Sequence, residues 1–417
     1  MENLVKDYKN ALNEAKTERE FVKLAIEKLE ENGFSEYKKG QDLKKGDKIY
    51  KINKEKTVAA AILGDSEAHI VASHIDSPRL DLKPNPLYEK ENIAYLKTHY
   101  YGGIKKYQWA TIPLELHGVV ITKAGKIEVK IADPLFVITD LLPHLAKEQA
   151  KRTMKDVIKG EELNIVIGLN EDKDAEKDKV KANIVKILQE EYSIDEKDFV
   201  SAELSAVPAF PAVDIGFDRS LIGGYGQDDR VCSFAALSAI CEVGEPPLHT
   251  AVLFLADKEE VGSNGTTGMK SKFFENFLNE IGADFETSIC ISADVNAGYD
   301  PTFADVFDKN NASMMGKGLV VTKYTGAGGK SGASDASAEL VYYFRKIFDE
   351  NNVKWQVGEL GKVDIGGGGT VAAYIANLNI DTIDIGVAVL SMHSPFEVTA
   401  KDDLISAFEG YKAFLSA

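Results

Sequence analysis

In the first 76 residues, apolar positions recur first with the period of a helix and then with the period of strands. Residues 4–32 place apolar side chains three or four positions apart, and Gly33 ends the run, which predicts an amphipathic helical region. The segment KIYKINKEKTVAAAILG (48–64) predicts a hairpin, and AHIVASHID (68–76) predicts a buried strand that ends in polar residues.

The middle of the chain has a different pattern. GGIKKYQWATIPLELHGVVITKAGKIEVKIAD (102–133) alternates in the manner of antiparallel strands separated by glycine turns. EDKDAEKDKVKANIVKILQEEY (171–192) mixes acidic and basic residues, which is typical of a solvated helix face.

After Gly223 the chain alternates predicted helices and apolar strands. Strands such as TAVLFLADKEE (250–260), ETSICISAD (286–294) and TIDIGVAVLSMHS (382–394) are separated by helical segments. This alternation predicts an α/β fold with a mixed, mostly parallel sheet flanked by helices. The simplest account is a discontinuous α/β domain, 1–100 with 223–417, interrupted by a β-rich insertion at 101–222.

Composition and charge narrow the function classes. The 417 residues are 44% apolar and 28% charged, as in a globular protein, and the net charge is −17. Such an acidic chain is not expected to bind nucleic acid or an anionic membrane surface. The three cysteines form no CxxC pair, which fits a reducing compartment. The N-terminal segment has no apolar signal region, so a cytoplasmic location is expected.

Two polar clusters with candidate catalytic or metal-binding residues lie at the end of a predicted strand and at the start of a predicted helix. His74 follows an apolar strand, and Asp76 comes two residues later, a spacing that suits a metal ligand and the carboxylate that orients it. Alone, His74 also fits a structural histidine. Asp228 and Asp229 begin a predicted helix, where an acid is either a cap or a ligand.

Three further strands end in acidic or imidazole groups. The segment DKEEVGS places Asp257, Glu259 and Glu260 directly after the strand AVLFL. These acids form either a solvated turn or a site in which one glutamate binds a metal ion and its neighbour is the general base. Asp294 follows ICISA, and His393 ends the last long strand. Together these groups match the nitrogen and oxygen ligands that a pair of divalent ions needs. The sequence contains no GxSxG elbow and no phosphate-binding loop motif.

The order of these motifs resembles the aspartyl aminopeptidase (aminopeptidase I) family of zinc metalloproteases. SHIDSP, YGG, DKEEVGS, ISAD, GGGGT and MHSPFE carry the resemblance along nearly the whole chain. It implies a di-zinc aminopeptidase fold in which 1–100 with 223–417 is the catalytic domain and 101–222 is a β-rich dimerisation domain.

The resemblance also implies roles for single residues. Asp228 bridges two zinc ions, for which cobalt or manganese can substitute. One ion is completed by His74 and Asp294, and the other by Glu260 and His393. Glu259 is then the general base for a metal-bridged water, and Asp76 is the partner of His74.

The same resemblance implies peptide substrates with a free N-terminus. It also implies a homo-oligomer, in which dimers assemble into a dodecamer.

Two alternative functions stay open from the sequence. A related di-metal amidohydrolase, such as a glutamyl or deblocking aminopeptidase or a deacylase, would keep the ligands and change the pocket. A non-catalytic binding protein on the same fold is disfavoured, because the ligand set and the base are all present.

Overall fold

The computed structural model describes residues 1–244, 246–326 and 328–417. They form two compact units. The first unit comprises Met1–Ser77, Ala212–Met392 and Glu397–Ala417, and the second comprises Pro78–Pro211 and His393–Phe396. The predicted domain limits at residues 100 and 223, with their assigned functions, stay a prediction.

The helices and strands of the described residues are numbered here in chain order. The α-helices are α1 (Glu2–Glu14), α2 (Glu18–Glu31), α3 (Lys179–Tyr192), α4 (Gln227–Cys241), α5 (Lys272–Glu280), α6 (Ala338–Glu350), α7 (Ala372–Ala376) and α8 (Lys401–Leu415). The strands are β1 (Ser35–Glu36), β2 (Lys48–Asn53), β3 (Thr57–Ile62), β4 (Glu67–His74), β5 (Arg79–Lys90), β6 (Ile93–Tyr101), β7 (Leu114–Thr122), β8 (Gly125–Ile138), β9 (Asn164–Gly168), β10 (Ala202–Pro208), β11 (Val213–Ile215), β12 (Leu221–Gly224), β13 (Thr250–Ala256), β14 (Asp284–Ser292), β15 (Asn296–Ala297), β16 (Leu319–Thr322), β17 (Trp355–Val357), β18 (Asp381–Gly386), β19 (Ala388–Leu390) and β20 (Glu397–Ala400).

The main sheet of the first unit confirms the predicted α/β class. Its strand order is β1-β2-β3-β13-β4-β14-β18-β16-β17. The central strands β13, β4, β14 and β18 are parallel to one another. β3 runs antiparallel to both β2 and β13, and β16 runs antiparallel to β18 but parallel to β17. Every residue of β3 and of β13 is buried, because helices cover both faces of the sheet.

Side chains of the central strands alternate between two apolar cores. In β4, Val71 joins the core that contains α1, α2, α4 and α8, while Ile70 and Ala72 join the core that contains α5 and α7. The helix α4 is buried over almost its whole length, so it has no solvated face. Its first turn is therefore held in place at the edge of the main sheet.

A smaller sheet of the first unit has the order β11-β12-β20-β19-β15. β12 leads directly into α4 through Gly226, whose φ is +75°. A Cβ atom there would lie 2.0 Å from Nη1 of Arg230, so glycine is required for the chain to enter the helix.

The second unit is a closed antiparallel barrel of order β10-β5-β6-β9-β8-β7. It confirms the β-rich character predicted for the middle of the chain. The charged segment that was predicted as a helix contains α3, most of whose surface is partly or fully exposed. Within the described ranges, every helix of the chain is too short or too polar to cross a bilayer.

Candidate active site

The polar clusters meet at one edge of the main sheet. β4 ends at His74, β13 ends just before Asp257, and β14 ends two residues before Asp294. Because these strands are parallel neighbours, their carboxyl ends lie side by side, which is where α/β sheets bind ligands.

His74 lies at the centre of the cluster and is buried. Its Nε2 is 3.1 Å from Oδ1 of Asp228 and 3.7 Å from Oδ1 of Asp294. Its Nδ1 is 3.0 Å from the carbonyl oxygen of Asp76, and a carbonyl only accepts, so Nδ1 carries the proton. Nε2 of the neutral ring therefore faces the carboxylates with its lone pair, as a metal ligand must.

Asp76 positions both the imidazole and the glutamates. Its Oδ1 is 3.3 Å from Nδ1 of His74 and accepts the backbone N–H of Glu259 at 3.1 Å. Its Oδ2 accepts the backbone N–H of Glu260 at 3.2 Å. One buried carboxylate thus fixes the loop after β13 relative to the end of β4.

The first turn of α4 supplies two more buried carboxylates. Asp228 and Asp229 have non-helical backbone angles, and the peptide bond between them is cis. The N–H of Asp228 donates to Oε2 of Glu397 at 3.2 Å, and its carbonyl accepts from Ser77. Oδ2 of Asp229 accepts from the hydroxyl of Ser73.

These side chains form two overlapping groups of potential metal ligands, in each of which the ligand atoms lie within 4.8 Å of one another. One group is His74, Asp228 and Glu260, and the other is His74, Asp229 and Asp294. Imidazole nitrogen and carboxylate oxygens are ligands that zinc accepts. Oδ1 of Asp229 is buried and makes no hydrogen bond with any part of the chain that the structure describes. A divalent cation therefore fits this donor set.

The pKa values of the metal-free site reflect the crowding of several carboxyl groups around one imidazole. Burial alone lowers the pKa of His74, but hydrogen bonds with the carboxylates of Asp228, Asp294 and Asp76 raise this pKa well above its usual value. Burial raises the pKa of Asp294, and it raises that of Glu259 to about 8. Bound cations would lower the pKa of Glu259 and leave it ionised near neutrality.

His393 belongs to the second unit. Its Nδ1 lies 2.8 Å from the carbonyl oxygen of Gly103, which makes Nδ1 the protonated nitrogen and leaves the lone pair of the neutral ring on Nε2. The structure thus brings together His74, Asp76, Asp228, Glu259, Glu260 and Asp294 in the first unit. The role of His393 as a metal ligand stays a prediction from the sequence.

Some groups at this edge have no role in the prediction from the sequence. Glu397 is buried and holds the N–H of Asp228, although its only signal was its position four residues after His393. Asp384 lies inside β18, where burial raises its pKa to about 7. The sequence around it, IDIG, could not single out Asp384 as functional, because any buried strand with one polar residue has the same pattern.

We expect the metal-free protein to become less stable as the pH rises from about 5 to about 8. Burial raises the pKa of Asp257 to about 6, of Asp384 to about 7 and of Asp403 to about 6, so the folded state binds more protons than the unfolded state in this window. Burial lowers the pKa of His69, so this one group favours greater stability at higher pH and opposes the effect of the three carboxyl groups. Lowered carboxyl pKa values, as at Asp214, take effect below the window.

The measurement is urea unfolding of chelator-treated protein across this pH range, with metal-loaded protein as the control. The midpoint of the treated sample should fall with pH. That of the loaded sample should fall less, because cations at the site also lower the raised pKa values of Glu259 and Asp294. A midpoint that rises with pH in the treated sample would contradict this reading of the buried carboxyl groups.

We expect Gly386→Ala to weaken metal binding. A Cβ atom at Gly386 would lie 1.8 Å from the carbonyl oxygen of Asp294, so the new methyl group must displace that residue. Gly244→Ala is the matched control, because no atom lies within 4 Å of its added Cβ. Metal titration should show roughly 10- to 100-fold weaker binding in the first variant only. Equal affinities in both variants would show that Asp294 is not a ligand.

Comparisons with known proteins identify the family of this chain. The family model of the aminopeptidase I zinc metalloproteases (M18) matches residues 11–415. A probable M18 family aminopeptidase 1 of Borrelia garinii is 47% identical over 99% of this chain and 95% of its own length.

Solved structures share the whole fold. The M18 aminopeptidase of Thermotoga maritima superposes with a TM-score of 0.96 at 44% identity, over 100% of this chain and 96% of the other. Aminopeptidase I of Clostridium acetobutylicum gives a TM-score of 0.93 at 43% identity, over 99% and 95% of the two chains. The mApe1 dodecamer of S. cerevisiae, at 21% identity and a TM-score of 0.80 over 99% and 96%, has the same fold. The chain therefore belongs to the M18 family of aminopeptidase I zinc metalloproteases, enzymes that remove residues from the N-termini of peptides.

Proposed function

We propose that this aminopeptidase holds two zinc ions, with Asp228 as the ligand common to both. His74 and Asp294 complete one ion, since Nε2 of His74 is 3.1 Å from Asp228 and 3.7 Å from Asp294. Glu260 and, from the sequence resemblance, His393 complete the other. The observation that supports the proposal is the convergence of His74, Asp228, Glu260 and Asp294 at the carboxyl edge of the sheet, in two ligand groups that share His74. The bridging role of Asp228 comes from the sequence resemblance. Cobalt and manganese accept the same ligands.

The ions, when bound, supply an acidified water molecule and a positive charge that polarises the scissile carbonyl. The chain supplies the proton transfers. Glu259 accepts a proton from the attacking water and later donates it to the amine that leaves as the C–N bond breaks. The carboxylate of Glu259 therefore returns to its ionised state after each turnover.

Asp76 positions the base and one ligand at the same time. It accepts the adjacent N–H groups of Glu259 and Glu260, so the two side chains diverge from a fixed backbone, one toward the proton and the other toward a metal. It also fixes the ring of His74. We infer that Asp76 acts through these three residues and has no direct contact with the substrate.

The acidic surroundings favour a substrate with a free α-amino group. Carboxylates that outnumber the imidazoles attract an ammonium group and repel a C-terminal carboxylate. The natural substrates are accordingly peptides with an unblocked N-terminus. An N-acyl group would remove this attraction, which separates the proposal from a deacylase with the same metal ligands.

We further propose that the chain works as a homo-oligomer. The relative from S. cerevisiae is described as a dodecamer, and we extend such an assembly to this chain. The sequence resemblance implies that dimers are its building blocks. The barrel unit has exposed leucines at positions 135, 141, 142 and 145, which suit an interface between subunits.

Glu259→Gln is expected to lower kcat by about 10²-fold or more and to leave the metal content near normal. Glutamine keeps the shape of the side chain and cannot accept the proton. Zinc analysis and steady-state kinetics on a peptide substrate measure both quantities, with the exposed Glu286→Gln as the matched control. Unchanged turnover in the Glu259 variant would remove Glu259 from the mechanism.

A panel of unblocked aminoacyl-anilides beside N-acyl amino acids tests the reaction class. We expect release of aniline from the unblocked compounds and no cleavage of the acylated set, because acylation removes the charged amine. Hydrolysis of the acylated set alone would assign the chain to the related di-metal amidohydrolases.

A further inference from the structure

A second cluster of metal-ligating side chains lies in the first unit, apart from the active site. Glu67 and His69 are on β4, and His249 directly precedes β13. Their ligand atoms lie within 4.8 Å of one another. We propose that these residues bind a third divalent ion of the zinc class, which links the starts of two neighbouring parallel strands.

The position separates this cluster from the catalytic ligands. His69 lies five residues before His74 on the same strand, which is about 16 Å at the rise of an extended chain. His74 ends β4 at the carboxyl edge of the sheet, and Glu67 begins it at the opposite edge. An ion at the cluster therefore takes no part in the proposed peptide hydrolysis.

Both imidazoles have the tautomer that metal binding requires. Nδ1 of His69 is 2.9 Å from the carbonyl oxygen of Phe414, and Nδ1 of His249 is 3.1 Å from Oδ1 of Asp65. Both partners are acceptors, so each Nδ1 carries the proton and each Nε2 has the lone pair of the neutral ring. Orientation of a histidine through its other nitrogen is the usual arrangement around a metal ion.

The two Nε2 atoms face the same carboxylate oxygen. Oε1 of Glu67 is 3.3 Å from Nε2 of His69 and 3.8 Å from Nε2 of His249. Metal–ligand bonds of about 2.1 Å at tetrahedral angles place neighbouring ligand atoms about 3.4 Å apart. Two histidines and one glutamate form a known zinc ligand set, with the fourth position left to water.

Without a cation this arrangement brings acceptors together. A lone pair on each neutral ring faces a carboxylate oxygen, which is repulsive unless a proton or a metal ion lies between them. Burial of His69 lowers its pKa and disfavours the protonated ring. The hydroxyl of Tyr343 is 3.4 Å from Nε2 of His69, which is too long for a strong hydrogen bond. A metal ion satisfies all three ligand atoms at once.

The cluster is open to solvent, so an ion can enter. His69 is buried, but the side chain of His249 is 20% exposed and that of Glu67 is 32% exposed. The carbonyl of Phe414 belongs to the last turn of α8, so the ion would also hold the end of that helix through His69. Bound metal should therefore stabilise the fold without changing catalysis.

The test is calorimetric titration of zinc into the enzyme with its catalytic metals already bound. We expect the unmodified enzyme to bind one ion per chain that His249→Gln and Glu67→Gln do not bind. Asp65→Asn should weaken this binding by roughly 10- to 100-fold, since Asp65 orients His249 and Glu67 and is not itself a ligand. His144→Gln, which replaces an exposed histidine of the other unit, is the matched control and should bind zinc normally.

Aminopeptidase activity distinguishes loss of this site from loss of the fold or of the catalytic metals. His249→Gln and Glu67→Gln should retain the turnover of the unmodified enzyme. Added zinc should raise the unfolding temperature of the unmodified enzyme and leave that of both variants unchanged. Equal zinc binding by the unmodified enzyme and both active variants would overturn the proposal and leave the cluster as a set of hydrogen bonds.

Discussion

The structure depends on the burial of several carboxylates at one edge of a parallel sheet with too few positive groups to balance them. Asp228, Asp229 and Asp294 surround a single imidazole, His74, at the carboxyl ends of strands that are buried on both faces. Desolvation makes such a cluster unfavourable while it is ionised and unpaired. Protons relieve the repulsion in the metal-free protein, and divalent cations relieve it without loss of negative charge. The repulsion between these buried carboxylates therefore lowers the stability of the metal-free protein and also favours the binding of cations.

The surrounding backbone keeps these carboxylates in place. Asp76 joins the end of β4 to the loop after β13 through two N–H groups, and Glu397 holds the N–H of Asp228. Close contact between Gly386 and the carbonyl of Asp294 fixes the end of β14. Residues outside the proposed ligand set thus determine where the proposed ligands and the proposed base lie, which is how a preorganised site lowers a barrier.

The sequence could predict the fold class and the strand ends, because apolar runs of four to eight residues reveal buried strands and polar residues reveal where these end. It could also identify His74, Asp228, Glu260 and Asp294 as a group that the sheet brings together. It could not show that Asp229 shares a ligand group with His74, or that Glu397 supports Asp228, since both depend on the local path of the backbone. The cluster of Glu67 and His249 was equally hidden, because 182 positions along the chain separate two residues that adjacent parallel strands bring together.

β4 carries a proposed metal site near each of its ends: the proposed catalytic ligands lie at His74, and the cluster of Glu67, His69 and His249 lies near its start. The most direct measurement of the central claim is an anomalous difference map at the zinc absorption edge from crystals of active enzyme. The account predicts two peaks about 3.5–4 Å apart beside His74, both in contact with Asp228. A single peak there, or a pair that Asp228 does not bridge, would contradict it.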